Sequence, residues 1–416
     1  MLRAHSPMIQ YGRQDISKAD IDAVVEVLRS DYLTQGPIVP RFEEVVSQYC
    51  VARYAIAVNS STSALHISCL ALGLGPGDWL WTSPNTFVAS ANCALYCGAK
   101  VDFVDIDPLT YNMSVERLKE KLIQAEREGC LPKILIPVHF AGQPCDMPAI
   151  HALSQKYGFK IIEDASHAIG ASYVASETSP AITTNGGAAT RQSTQIKIGS
   201  CIHSDITVFS FHPVKIITAG EGGMAITNDR RLSDRLRRLR SHGITSDVEL
   251  MHSRPNDEIW HYQQIELGFN YRMTDILAAL GLSQMQRLDK FVSRRHEIAK
   301  VYDATLRALP ITTPYQAPDN HSSYHLYPIR INENYSGKTQ RQIYEAFFRN
   351  KIVPNIHYIP VPRQPYFEKL GFEAGDFPEA ERFHREMLSL PVYPALSRSS
   401  QEHVLQVLAT ELRTFE

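Results

Sequence analysis

Val208-Phe209-Ser210-Phe211-His212-Pro213-Val214-Lys215-Ile216-Ile217-Thr218-Ala219-Gly220-Glu221-Gly222-Gly223 decides how the rest of the chain is read. It opens as an apolar, β-rich run that suits a buried strand. It closes in a glycine cluster, which suits a tight turn where backbone comes close to something else. Between them stands one lysine, Lys215, among apolar and small residues. A lysine held there loses hydration, so its amine pKa falls and it becomes a better nucleophile. Such an environment suits Schiff-base chemistry. By itself it also suits a lysine snorkelling from a strand end.

Upstream, Lys160-Ile161-Ile162-Glu163-Asp164 reads as a buried strand ending in two acids, followed by Ala165-Ser166-His167. Ligands of open α/β sheets bind beyond the carboxyl ends of strands. Successive strand residues face opposite ways, so one of the two acids can reach such a ligand. Tyr54 to Val58 reads as another strand, running into Asn59-Ser60-Ser61-Thr62-Ser63 at a helix start. Free N–H groups, the helix dipole and hydroxyls make that turn a candidate phosphate seat, although plain N-capping needs just one of these residues. Further strands are expected at Leu80–Pro84, Lys100–Ile106 and Lys133–Val138, separated by helices. Strands alternating with helices predict an α/β fold.

The 416 residues carry a net charge of −2 and ordinary apolar content, which suits two domains and offers no basic footprint for nucleic acid or a membrane surface. No apolar run is long enough to span a bilayer, and Met1 to Gln10 lacks a signal-peptide core, so a cytoplasmic protein is expected. The seven cysteines are odd in number and scattered; Cys93 and Cys97 lack a second ligand pair, so free thiols are expected and no metal.

Taken together, the lysine segment, the Ser61-Thr62 turn, Asn85-Thr86-Phe87, the Asp164-Ala165-Ser166-His167 run and Leu267-Gly268-Phe269-Asn270-Tyr271-Arg272 resemble the DegT–StrS family of sugar-nucleotide aminotransferases, in the family's order. The resemblance covers nearly the whole chain. It implies pyridoxal 5′-phosphate (PLP) on a fold-type I scaffold. That scaffold is a three-layer α/β/α large domain over 1–270 with a smaller α+β domain over 271–416. Lys215 would hold the cofactor, and Asp164, rather than Glu163, would keep the ring nitrogen protonated. His167 would lie near the ring's phenolic oxygen and Phe87 would stack on the ring. Ser61, Thr62 and Ser210 would hold the phosphate, and Asn270 would reach the phosphate of a partner subunit, which implies a homodimer. Dehydratase relatives carry histidine where Lys215 stands, so the lysine implies transamination.

Within the family the resemblance is to its pseudaminic acid branch, carried by Tyr11, the loop Asp31 to Gln35, Phe211-His212-Pro213 and Gly281-Leu282-Ser283-Gln284. It implies amination at C4 of a UDP-2-acetamido-2,6-dideoxy-4-keto-hexose with L-glutamate as donor. Tyr11, Asp31, Tyr32, Leu33, Thr34, His357 and Tyr358 would recognise the sugar nucleotide. Other readings stay open: a C4-aminotransferase for another UDP- or dTDP-sugar of bacillosamine or viosamine type, a non-catalytic PLP-fold protein, or a binding protein without cofactor.

Four local expectations remain. Ser17 caps a helix presenting Ile21, Val24, Val25 and Leu28 on one apolar face. One long helix runs from about Asp275 to Leu306. Arg230 to Arg240 is a basic helix whose arginines form a solvated face with packed stems, and Pro354 to Ile359 is a strand. The stretch from about 174 to 203 departs from the family pattern as a polar excursion, read as exposed and either idle or a lid.

Overall fold

The computed structural model describes residues 8–174, 195–252 and 258–412. The central part of the polar excursion, 175–194, lies outside the described residues. Its base is a pairing of Ser172–Val174 with Gln195–Lys197.

Seven strands form the central sheet: β1 (Tyr54–Val58), β2 (Trp79–Thr82), β3 (Lys100–Phe103), β4 (Ile134–Ile136), β5 (Lys160–Asp164), β6 (Ile206–Ser210) and β7 (Gly223–Thr227). Their order is β1-β7-β6-β5-β4-β2-β3. All neighbours are parallel except β7, which runs antiparallel to both β1 and β6. Alternation along each strand divides the core. Ile161, Phe209 and Met224 enter one apolar cluster, with Phe42 and Val46 of helix Ile38–Cys50, while Ile162, Val208 and Ala225 enter another with Leu65 and Ile67. Helices thus cover both faces of one sheet, the three-layer arrangement expected.

A third cluster gathers Tyr302, Tyr327, Phe347, Leu388 and Leu408 around the antiparallel pair Tyr327–Arg330 and Met387–Leu390. The start of the chain joins it, because Ile9–Gln10 pairs with Ile352–Val353.

Several local expectations are corrected. Helix Lys18–Leu28 has the Ser17 capping box, but it buries Asp20 and Val27 and exposes Ile21 and Leu28. The cause is polar: Asp20 accepts hydrogen bonds from Ser283 Oγ, Gln284 Nε2 and Arg287, and these draw that edge inward. The long helix is two, Asp275–Met285 and Leu288–Leu306, parted where Arg287 turns to Asp15 and Asp20. The helix Arg230–Arg240 does not carry a free solvated face: Arg237 and Arg240 pair with Glu43, and Arg235 and Arg238 with Glu266. Residues 354–359 are not a strand; Asn355 makes a single bridge to Ser389. All seven cysteines are free thiols.

Candidate active site

Strands β5 and β6 end, and β7 begins, at the same edge of the sheet, and a cavity of about 450 Å³ lies there. The Lys215 loop closes the β6–β7 hairpin. Phe211 N–H donates to the Gly222 carbonyl, Ala219 N–H to Phe211, and Lys215 N–H to His212. The glycines at its end serve close approach. A Cβ on Gly223 would stand 2.4 Å from the Ser60–Ser61 peptide, so only glycine lets the hairpin press against the next helix start. That contact puts the lysine loop beside the turn at Ser61.

Helix Ser61–Ala71 begins there. Ser60 is the N-cap, in extended conformation, and its hydroxyl accepts from Ser63 N–H. The first-turn N–H groups of Ser61 and Thr62 have no intrahelical acceptor, and both residues line the cavity. Ser210, at the end of β6, lines the same space.

The two acids of β5 part as the strand alternation requires. Glu163 turns away and is held by His139 Nε2 and Thr207 Oγ1, both at 2.8 Å, and by Ser204. Asp164 faces the cavity. It accepts from Ser90 Oγ at 2.6 Å and from Ser166 N–H at 3.0 Å, so its carboxylate is oriented by two donors. Burial brings the Lys215 amine down to about 8, against the opposing pull of the Asp164 charge. Among the described lining residues Lys215 is the sole ammonium or guanidinium.

Across the cavity stand Tyr11, His325, Asn355, His357 and Tyr358. Burial drives His325 and His357 below the usual imidazole range, His357 to about 3, and raises the Tyr358 hydroxyl. This wall is uncharged near neutrality. Phe87 stands at the rim, 60% exposed, with its ring 6.4 Å from that of Tyr358.

Ten of the expected site residues therefore converge on one cavity: Tyr11, Ser61, Thr62, Phe87, Asp164, His167, Ser210, Lys215, His357 and Tyr358. The others do not line the cavity of their own chain. The loop holding Asp31, Tyr32, Leu33 and Thr34 is pinned elsewhere: Leu33 accepts from Asp275 N–H, and Asp275 accepts from the N–H groups of Gly36 and Ile38. Asn270 is exposed and bridges Ser241. His357 reaches the cavity, but both its nitrogens are spent, on Asn355 Nδ2 and Ser389 Oγ, so in this arrangement it has no hydrogen bond left for a substrate.

Sequence reasoning missed Ser90 and His325. Ser90 sits inside helix Ala89–Tyr96 and looks like any small helical residue. His325 stood in an apolar run, and a histidine there was the available signal. Its Nδ1 is buried without a partner, and its ring packs at a tilt with its centroid 4.4 Å from that of His167.

A desolvated lysine, an oriented acid and a helix-start anion seat at the end of a doubly covered α/β sheet define a PLP-dependent aminotransferase. Residues 14–409 match the DegT/DnrJ/EryC1/StrS aminotransferase family, and the chain belongs to it. The spore coat polysaccharide biosynthesis protein SpsC of Bacillus subtilis is 35% identical over 98% of each chain. A UDP-4-amino-4,6-dideoxy-N-acetyl-beta-L-altrosamine transaminase of Campylobacter jejuni is 33% identical over 96% of each. Among solved structures, Helicobacter pylori PseC, an aminotransferase involved in pseudaminic acid biosynthesis, superposes with a TM-score of 0.82 at 28% identity, covering 97% of this chain and 99% of its own.

The cofactor is PLP, and the residues present fit it. The free N–H groups at Ser61 and Thr62 offer an anion seat, Asp164 offers a carboxylate to a pyridinium, and Lys215 offers an amine.

Proposed function

We propose that this enzyme transfers an amino group from L-glutamate to C4 of a UDP-2-acetamido-2,6-dideoxy-4-keto-hexose, in pseudaminic acid biosynthesis. The observation that carries the reading is that Lys215 and Asp164 line one cavity at the sheet edge, in a chain 33% identical over 96% of its length to a transaminase of that sugar series.

Bound PLP supplies an electron sink for the charge left when a carbon-bound proton is removed. The protein supplies the rest. Lys215 Nζ, with its pKa near 8, takes up and returns that proton close to neutral pH. Asp164 holds a proton on the ring nitrogen, and Ser90 and Ser166 keep its carboxylate aimed. Ser61, Thr62 and Ser210 hold the phosphate, and Phe87 covers a ring face. Tyr11 and Tyr358 meet the sugar nucleotide, and the neutral wall lets its oxygen atoms be read by hydrogen bonds.

The working unit is read as a cytoplasmic homodimer with shared sites. Asn270 and the loop Asp31–Thr34 lie outside their own cavity, and Tyr32, Ile259, Trp260 and Leu267 are large apolar side chains exposed nearby in sequence. An exposed apolar set of this kind suits burial by a second copy. The bodies 1–270 and 271–416 are read as cofactor-holding and substrate-closing halves, with the helix Asp275–Met285 packed back on the first.

A second reading, amination of a different 4-keto sugar nucleotide, draws on SpsC, 35% identical over 98% and named for spore coat polysaccharide rather than for this sugar series. Supplying the enzyme with L-glutamate and each candidate UDP- or dTDP-4-keto sugar, then determining the C4 configuration of the product, separates the two. Formation of the altro-configured 4-amino product alone supports the first reading, and preference for a sugar giving a different C4 configuration overturns it.

A further inference from the structure

The wall opposite the sheet edge contains a chain of hydrogen bonds whose direction can be read. Ala141 N–H donates to His167 Nδ1 at 3.3 Å. A ring nitrogen that accepts carries no proton, and burial keeps this imidazole neutral. The proton is therefore on Nε2, which lies 3.1 Å from Tyr358 Oη and donates to it. Tyr358 thus gives a lone pair to His167 and keeps its own proton. Among the described residues no acceptor takes that proton, and the side chain lines the cavity.

The surroundings hold the arrangement in this state. Burial raises the Tyr358 hydroxyl, so it stays protonated. The ionisable groups around the pair are Asp164, Lys215, Tyr11, His325, His357 and His384, which bonds the Tyr358 backbone, and burial lowers the pKa of all three histidines. The His325 ring packs against His167 at a tilt, with centroids 4.4 Å apart and planes at 44°. His167 feels the Lys215 charge and Tyr358 feels that of Asp164, so the O–H stands near both groups that would fix the cofactor ring.

A pyridoxal ring has four polar handles: its nitrogen, the carbon that takes the lysine, the phosphate arm and the oxygen on C3. The reading above gives the first three to Asp164, Lys215 and the Ser61 turn. We propose that Tyr358 donates its hydroxyl hydrogen bond to the C3 oxygen, and that His167 acts as the positioning residue that aims it. The sequence resemblance placed His167 near that oxygen, and the hydrogen-bond direction makes Tyr358 the donor to it. The proposal rests on the reading of Lys215 and Asp164 as cofactor ligands.

The test is a pH titration of visible absorbance on the loaded enzyme without substrate. When the nitrogen linking lysine and cofactor is protonated, it donates to the C3 oxygen itself. When that nitrogen is bare, the oxygen depends on Tyr358. Tyr358→Phe therefore disfavours the bare form and raises the titration midpoint by roughly one to two pH units, as expected for a hydrogen bond to a charged oxygen. His167→Asn leaves the hydroxyl but frees its direction, so a smaller shift of the same sign is expected. It also serves as the second variant if Tyr358→Phe is poorly folded. A midpoint unchanged in both variants, with KM for the sugar nucleotide raised, would assign Tyr358 to substrate alone and overturn the proposal. Wild-type protein without a visible band would instead bring down the cofactor reading on which it rests.

Discussion

The two walls of the cavity are built by different means. The sheet-edge wall takes Ser61, Asp164, Ser210 and Lys215 from strand ends and the turns that follow them, so its geometry is set by backbone pairing. It carries the cavity's fixed charges. The opposite wall takes Tyr11, His325, His357 and Tyr358 from widely separated segments held by side-chain hydrogen bonds and ring packing. It is uncharged, because burial keeps its imidazoles deprotonated and its phenols protonated. The difference suggests a division of labour: charge and proton transfer on the rigid side, recognition and aiming on the other.

The comparison can be broken most directly at Lys215. Lys215→Ala is expected to lower kcat on the order of 10⁴-fold, the upper range for a proton-transferring group. Residual turnover within tenfold of wild type, in a steady-state assay, would remove the lysine from the chemistry. Asp164→Asn is the next largest: kcat should fall on the order of 10²- to 10³-fold while the cofactor stays bound. Loss of the cofactor with an unchanged rate in the loaded fraction would reverse its assignment.

The anion seat should respond more weakly, since its backbone N–H groups survive mutation. Ser61→Ala with Thr62→Val should raise the PLP dissociation constant roughly five- to tenfold, the sum of two modest hydrogen bonds. Equal affinity by fluorescence titration would move the phosphate elsewhere. His357→Leu sharpens the other wall. It leaves Ser389 and Asn355 without their shared partner, so stability in urea should fall by about 1–3 kcal/mol while kcat of the folded enzyme changes little. Collapse of kcat at unchanged stability would make His357 a reacting group after all.

A pH experiment follows from the depressed lysine. Nζ must be neutral to attack the cofactor, and its pKa is about 8, so capture of PLP by the apoenzyme should accelerate as pH rises from 7 to 9 and then level off. At pH 7 roughly one molecule in ten has the neutral amine. A rate independent of pH across this window, followed by stopped-flow absorbance, would contradict the desolvated state of Lys215.

The same contrast explains what could be read from the chain. The sheet-edge wall was legible because each group lies within a few residues of a local signal. Asp164 ends an apolar strand, Lys215 stands five residues after Ser210 and before the glycines, and Ser61 follows a strand at a helix start. The glycine cluster also announced a close approach, although its partner, the Ser60–Ser61 peptide, lies about 160 residues away in sequence and needed the fold to be seen. The opposite wall had no such signals. His325 looked like part of a strand, and Ser90 like helix filler. His357 was read as facing substrate, although Ser389 and Asn355, one of them 32 residues distant, already take both its nitrogens. Charge misled in the same way. Neither the inward pull on Asp20 nor the pairing of Arg237 and Arg240 with Glu43 has a periodic signature, because each partner comes from another element.

One measurement bears most directly on the central claim, that Lys215 and Asp164 form an amino-transferring site around PLP. It is the visible absorbance of the purified protein before and after addition of L-glutamate. A yellow band that bleaches as the donor gives up its amino group is the result expected. A protein that stays colourless after incubation with PLP, or a band that L-glutamate and other amino donors leave unchanged, would contradict it.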